Sequence, residues 1–427
     1  MSEVESKTPK AVIVGAGFTG LTLAYFLLKE GFKVRVIEKE DRVGGLISTK
    51  EISFGNGKKA LAELAANGMI ANRYIEELAD FARVDLQATK KESRKRFILR
   101  NKRARRWPLG FFETFGFLFR VLKNLGAKKM KPFSTETVSV WGERVLGSKA
   151  TEFLLAPALQ GIYAGDIRKM KARLILGRFF APKIRIRGKL RGTVAPRDGM
   201  EALLKGLYSE LSANGVKFEL SEDASQELAK VYENKSAIPI VASDLTSTVE
   251  VLKILAPSLS GHAKGVETLP LVTATLIFPI GAEVVSGFGC LFPKSENMNS
   301  LGVLVNSCIF ENRVSDSFIS ETWILGGALG ANKVFLKDEE LLSFIESDRA
   351  RLGNRAQPIS WNIQKWPGTL PHFTQALENF INAYNERAEK DLYIVGNYMG
   401  SPGLGQIAVR NAELAQALKR KVKLNEK

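Results

Sequence analysis

The chain has 427 residues, 45% of them hydrophobic and 25% charged, which predicts a globular protein of two or three domains. No run of roughly 18 apolar residues occurs, which excludes a spanning helix, and the polar opening MSEVESKTPK carries no apolar signal core, so a cytoplasmic protein is expected. The formal net charge of +17 is concentrated: residues 90–131 hold fifteen Lys/Arg against two Glu, residues 167–191 hold ten Lys/Arg and no acid, and the remainder sums to −6.

Residues 11–14 are a short apolar run of strand type. They lead into Gly15-Ala16-Gly17-Phe18-Thr19-Gly20. Residues 21–30 then place Leu21, Ala24, Tyr25 and Leu28 at helical spacing. Gly31 stops that helix, residues 33–37 read as a second strand, and Glu38 ends it. Gly15 permits the tight turn, Gly17 lets the backbone approach a pyrophosphate, and Gly20 lets helix and strand pack closely. The helix N-terminus offers free N–H groups and partial positive charge to phosphates. Glu38 is placed to accept hydrogen bonds from ribose hydroxyls. Strand, glycine turn, helix, strand and acid stand in the order a dinucleotide site requires. The competing explanation is a glycine-rich turn in an unrelated βαβ unit. Just beyond lie Asp41-Arg42-Val43-Gly44-Gly45 and Phe54-Gly55-Asn56-Gly57, two further glycine turns.

Residues 109–125 put Phe111, Phe112, Phe115, Leu118, Phe119, Leu122 and Leu125 on one helical face, with Phe117 and Val121 widening it. Arg100, Lys102, Arg103, Arg105 and Arg106 precede this stretch, and Lys128, Lys129 and Lys131 follow it. An aromatic-rich apolar face between basic clusters fits an interfacial helix on an anionic membrane surface. The alternative is a buried core helix with a charged rim. No recognition motif accompanies the basic patch, so no nucleic acid is expected as a partner.

Cys290 and Cys308 are too few for a disulfide framework and read as small packing residues. His262 and His372 are the only histidines. Metal-centred or histidine-based catalysis is therefore poorly supported, and the hard chemistry falls to an organic cofactor. Near the end of the chain, Leu392-Tyr393-Ile394-Val395-Gly396-Asn397 reads as a buried strand ending in a turn. Gly400-Ser401-Pro402-Gly403-Leu404-Gly405 reads as a loop. Residues 406–418 read as a helix with Ile407, Val409, Leu414, Ala415 and Leu418 as its apolar positions.

Taken with further motifs, these segments resemble the protoporphyrinogen oxidase family, FAD-dependent flavoproteins of the flavin amine oxidase superfamily. Arg144-Val145-Leu146-Gly147 and Leu159-Gln160-Gly161-Ile162-Tyr163-Ala164-Gly165-Asp166 resemble its "RLG…GVYAGD" stretch. Arg197-Asp198-Gly199-Met200-Glu201-Ala202-Leu203, Gly287-Phe288-Gly289-Cys290-Leu291-Phe292-Pro293, Leu325-Gly326-Gly327 and Lys365-Trp366-Pro367 with Leu370-Pro371 have counterparts in the same order. The resemblance implies an α/β fold with a discontinuous Rossmann-like FAD domain built from 1–86, 196–260 and 386–427. It also implies a helical basic lid at 87–195 that binds one membrane leaflet, and a mixed-sheet substrate domain at 261–385. The implied reaction is stepwise oxidation of protoporphyrinogen or coproporphyrinogen, a tetrapyrrole substrate, within heme biosynthesis. Oxygen would be the electron acceptor. A cytoplasmic protein held peripherally at the inner face of the membrane is implied, and a homodimer is compatible with it.

By the same resemblance, Gly15, Gly17, Gly20, Glu38, Arg42, Gly44, Gly45, Gly57, Ala224, Gly396, Asn397, Gly405, Gln406 and Ile407 contact FAD. Arg96 meets a substrate propionate, and Phe288, Leu291 and Ile324 line the ring pocket. No catalytic side chain is assigned. Four positions depart from the family: Gln406 for Asp, Ile407 for Cys, Ala224 for a Val on a middle strand, and Lys58 for Pro. Two other classes stay open: another flavin oxidase or desaturase, and a non-catalytic flavin- or porphyrin-binding membrane protein.

Overall fold

The apolar run at the start of the chain is strand β1 (Lys10–Val14), with residues 11–14 buried. Helix α1 (Phe18–Lys29) follows directly, then strand β2 (Lys33–Ile37). β1 and β2 pair in parallel, from Lys10 opposite Lys33 to Val14 opposite Ile37. A parallel strand covered on both faces needs apolar residues all along it, which explains the unbroken run in β1. The computed structural model describes residues 8–125, 128–180, 186–387 and 391–425.

β1 sits at the centre of a parallel five-stranded sheet. Its order is Lys217–Glu219, β2, β1, Ile238–Val241 and Tyr393–Ile394. Strands from the start, middle and end of the sequence therefore build one nucleotide-binding sheet. The last helix, Leu404–Asn425, packs on α1, and both contribute to one core with Leu21, Leu27, Ile407, Ala415 and Leu418. It begins two residues before the expected start and runs seven beyond the expected end.

The second large sheet has seven strands. Three long antiparallel members, Ser360–Pro371, Thr268–Pro279 and Phe318–Gly326, are followed by Gly302–Val305 and Gly289–Leu291. The hairpin Arg96–Arg100 and Arg103–Arg105 completes it. These last two strands lie within 87–195, which the sequence reading took as mostly helical. Arg96–Arg100 adds in parallel to Gly289–Leu291, a pairing invisible locally because the partners lie about 190 residues apart.

One face of this sheet is an apolar core of Leu99, Val272, Leu276, Cys290, Val303 and Trp323, closed by helix Asp338–Arg351. Arg349 is buried there over the Phe278 ring, 3.6 Å from its centroid, and ion-paired to buried Glu321. Removing one partner would leave an uncompensated buried charge, at a cost of about 3–5 kcal/mol. Burial also pushes the Cys290 thiol well above its usual value, consistent with an inert packing residue. His372 is buried, accepts from the Asp166 backbone N–H at 3.2 Å and lies 2.7 Å from the Glu267 carboxylate, as a structural histidine would.

Helix Phe111–Asn124 has no buried residue. Phe111 is 81% exposed, Phe112 86%, Phe115 69%, Phe119 60% and Leu122 67%. The core-helix alternative is thereby excluded for this segment. Phe117 does not widen the exposed face, because it packs inward on Leu109, Ala150 and Phe153; Val121 is half-buried. Glu113 holds the helix start: it accepts from Gly110 N at 2.7 Å and from Arg100 at 2.5 and 2.8 Å. Among the described residues no helix is long and apolar enough to cross a membrane.

Candidate cofactor and substrate site

The glycine turn after β1 has the geometry a dinucleotide needs. A Cβ on Gly20 would sit 1.8 Å from the Gly15 carbonyl oxygen, so only glycine lets α1 pack so close to the turn. Gly15 has φ +107° and lies against the Ala242 carbonyl of the neighbouring strand's end. Gly17 caps α1 with no side chain in the way, leaving first-turn N–H groups for an anion.

Glu38 is buried at the end of β2. Its Oε2 accepts from the Ala16 N–H at 2.6 Å and its Oε1 from the Glu40 N–H at 3.1 Å. The carboxylate therefore has a fixed orientation beside the glycine turn, as a ribose acceptor must. The second glycine turn is joined to the first: Gly44 N donates to Ala16 O at 2.9 Å, and Gly17 and Gly44 form a parallel bridge. Arg42 braces this turn through Gly45 O at 2.8 Å and Val43 O at 3.3 Å. The residues present fit a dinucleotide at the carboxyl ends of the parallel strands, where α/β folds bind ligands.

Other expected cofactor residues are placed differently. Gly57 turns the hairpin between strands Thr49–Phe54 and Lys58–Glu63, is exposed and has open space around it. Lys58 opens the second of those strands, opposite Phe54. The expected flavin-side loop is therefore a solvent-facing turn. Its strand partner ends instead at Glu63, which is buried. Glu63 accepts from Thr49 Oγ1 at 2.7 Å and Met200 N at 2.9 Å, and pairs with buried Arg313 at 3.5 Å. Burial raises the Glu63 pKa, against the opposing pull of Arg313. Ala224 is not on a strand. It is buried immediately before helix Ser225–Asn234, because the strand of that segment ends at Glu219.

Gly396 and Asn397 lie in the turn after Tyr393–Ile394, beside the ends of β1 and Ile238–Val241. Gly405 is buried in the first turn of the last helix, where a Cβ would lie 2.5 Å from Ile70 O; its own carbonyl accepts from Asn72 at 2.9 Å. Gln406 is exposed and Ile407 is core. The sequence reading missed Arg410. Its guanidinium donates to Ser401 O at 2.9 Å and Gly396 O at 3.1 Å, closing the 396–401 loop on itself. Arg178, from the basic segment, donates to Ser401 Oγ at 2.6 Å. Burial first, then Arg178, lowers the Arg410 pKa to about 10, with Glu413 opposing, so it stays charged at neutral pH.

The expected substrate residues come together on one face of the seven-stranded sheet. Leu291 pairs with Ile98 on one side and Gly302 on the other, and Gly302 pairs with Ile324. Cross-strand partners point to the same side, so Ile98, Leu291 and Ile324 form one row. Arg96 stands two residues from Ile98 on that face, and its guanidinium lies over the Phe288 ring. Leu291 faces helix Ala156–Tyr163: a Cβ on Gly161 would meet Leu291 Cδ2 at 2.8 Å. Phe288 and Leu304 also pack on the nucleotide-domain core, so this face meets that domain. Among the described residues no group of three His, Cys, Asp or Glu is arranged to hold a metal.

Comparison with known proteins agrees with this geometry. Residues 13–83 match the model of the NAD(P)-binding Rossmann-like domain family. Protoporphyrinogen oxidase 1 of Arabidopsis thaliana chloroplasts is 23% identical, over 93% of this chain and 86% of that protein. Coproporphyrinogen III oxidase of Bacillus subtilis is 22% identical, over 85% of this chain and 87% of its own. Among solved structures, UDP-galactopyranose mutase superposes with a TM-score of 0.71 at 14% identity, covering 96% of this chain and 94% of that one. A putrescine oxidase variant gives 0.70 at 13% identity, covering 98% and 99%. These likenesses point to FAD as the dinucleotide. The chain thus has the fold of the flavin amine oxidase superfamily and is similar over nearly all its length to protoporphyrinogen oxidases.

Proposed function

We propose that this protein binds FAD and oxidises a porphyrinogen, either protoporphyrinogen or coproporphyrinogen, to the porphyrin. The observation that carries this reading is the shared sheet face of Arg96, Ile98, Leu291 and Ile324, in a chain similar along its length to enzymes named for that reaction. FAD, when bound, supplies the two-electron acceptor. Gly15, Gly17, Gly20 and Glu38 would hold its diphosphate and ribose. The chain's own contribution is placement. Leu291, Ile98 and Ile324 offer an apolar wall to a flat ring system, and Arg96 offers a fork to a ring carboxylate. Molecular oxygen is the acceptor we infer for turnover.

The exposed Phe111–Asn124 helix supports peripheral attachment to an anionic membrane, since its apolar face is open to solvent and flanked by basic residues. The test of the activity is direct. Purified protein loaded with FAD should consume oxygen and develop porphyrin fluorescence when given protoporphyrinogen or coproporphyrinogen. A rate equal to the enzyme-free control, with flavin bound, would overturn the enzymatic reading.

A further inference from the structure

The two basic stretches are far apart in sequence and joined in the fold. Thr137 and Lys171 form an antiparallel bridge, Val138 N donates to Met170 O at 2.8 Å, and Ala172 N donates to Glu136 O at 3.0 Å. This zipper brings Lys131 and Pro132 of the first stretch against Arg173, Gly177 and Phe180 of the second. Together they line a pocket of about 190 Å³.

The acids nearby are already engaged. Glu136 accepts from Arg144 at 2.6 and 2.8 Å and from Phe133 N at 2.8 Å. Glu378 is paired with Lys171 at 3.7 Å. Among the described residues, Lys131 and Arg173 have no acidic partner. Two unneutralised cations lining one small pocket favour an anion there. A guanidinium fork and an ammonium are the usual pair for a phosphate.

The flanks of the pocket narrow the source of that phosphate. Phe133 follows Pro132 and is 50% exposed; Phe179 precedes Phe180 and is 53% exposed. A free phosphate offers nothing to these rings, whereas a phospholipid offers an anionic headgroup and acyl chains together. We propose that Lys131 and Arg173 form a phosphate site for the headgroup of an anionic phospholipid. The site would act together with the apolar Phe111–Asn124 helix. The proposal rests on the membrane reading above and adds a specific headgroup contact to it.

The test compares two vesicle types of equal negative charge. One carries phosphatidylglycerol in phosphatidylcholine; the other carries oleate in phosphatidylcholine. Wild-type, FAD-loaded protein should bind the phosphatidylglycerol vesicles about tenfold more tightly, as expected for charge-assisted hydrogen bonds to a phosphate. The double variant Lys131→Gln/Arg173→Gln should bind both types equally. The charge-matched control Lys123→Gln/Lys129→Gln should weaken both by one factor and keep the preference. No preference in the wild type, or equal loss of it in the control, overturns the headgroup site and leaves membrane attachment standing. No binding to either vesicle overturns both.

Discussion

The guanidinium of Arg96 lies 4.1 Å from the centroid of the Phe288 ring. The stack fixes a long, otherwise exposed side chain at the edge of the apolar row, with its N–H fork free for a carboxylate. Arg96→Ala should therefore raise the porphyrinogen KM roughly ten- to a hundredfold, the worth of a charge-assisted hydrogen bond, and leave flavin occupancy unchanged. Arg96→Lys should recover little, because an ammonium lacks the fork. Kinetics on both variants, with flavin absorbance as the internal control, checks this. Unchanged KM in Arg96→Ala would return the residue to the solvated charge run.

Flavin binding should separate from folding at two positions of the same site. Gly20→Ala forces a Cβ to within 1.8 Å of the Gly15 carbonyl oxygen, so the turn and helix cannot both persist. Little folded protein is expected from it. Glu38→Gln keeps shape and volume and removes the charge from the ribose acceptor. Folded protein with flavin affinity reduced about tenfold or more is expected there. Wild-type protein should purify yellow or take up FAD on incubation. An absorbance spectrum without flavin bands after that incubation would contradict the cofactor assignment.

Arg410→Met should loosen the 396–401 loop, since Gly396 O and Ser401 O lose their shared donor. The expected readouts are weaker FAD binding and faster hydrogen exchange over 396–403, with the melting temperature little changed. A matching loss in Ser401→Ala, which removes the Arg178 contact, would show that the basic segment and the cofactor loop act together. Unaltered exchange in both variants would remove the loop-closing role.

These residues also mark where sequence reasoning stops. The βαβ start and the late strand, loop and helix were legible because their signals are local: period, glycine spacing and a terminal acid. Arg410 looked like one charge among many on a helix, because the carbonyls it meets belong to a loop whose path is set by tertiary packing. Glu63 was hidden for a similar reason, with Arg313 250 residues away. Gly57 shows how a hairpin turn and a cofactor loop share one glycine-rich composition. Ala224 precedes a helix, and a helix start after a short strand resembles a continued strand in sequence. Phe117 turns inward, and helical spacing gives a face some width without saying which edge packs.

Acid should release the exposed helix before it unfolds the core. Arg100's hydrogen bonds, then the Gly110 N–H, hold the Glu113 pKa at about 2, below an ordinary value of about 4.5. A folded pKa below the unfolded one means the stabilisation is complete above about pH 4.5 and fades as pH falls towards 2. Hydrogen exchange in Phe111–Asn124, corrected for the intrinsic rate at each pH, should therefore rise across that window. Glu113→Gln should show the raised exchange already at neutral pH and little further change on acidification. Identical acid profiles for wild type and variant would mean that other groups hold the helix.

Membrane attachment through the same helix should have two components that separate under salt. The Lys and Arg residues on either side draw the protein to an anionic surface, at about 1 kcal/mol for each residue near it. The exposed rings of Phe111, Phe115 and Phe119 then bury apolar area at roughly 25 cal/mol per Å². Screening weakens the first component and leaves the second largely intact. Binding of wild-type protein to anionic vesicles should therefore fall at high salt and persist. With Phe111, Phe115 and Phe119 replaced by Ser, attraction remains and insertion is lost, so binding should become fully salt-reversible. These rings make few contacts within the chain, so the triple variant should fold and keep its flavin, and a co-sedimentation assay then reads membrane affinity alone. Wild-type protein left in the supernatant at low salt would mean that the exposed face serves some other partner.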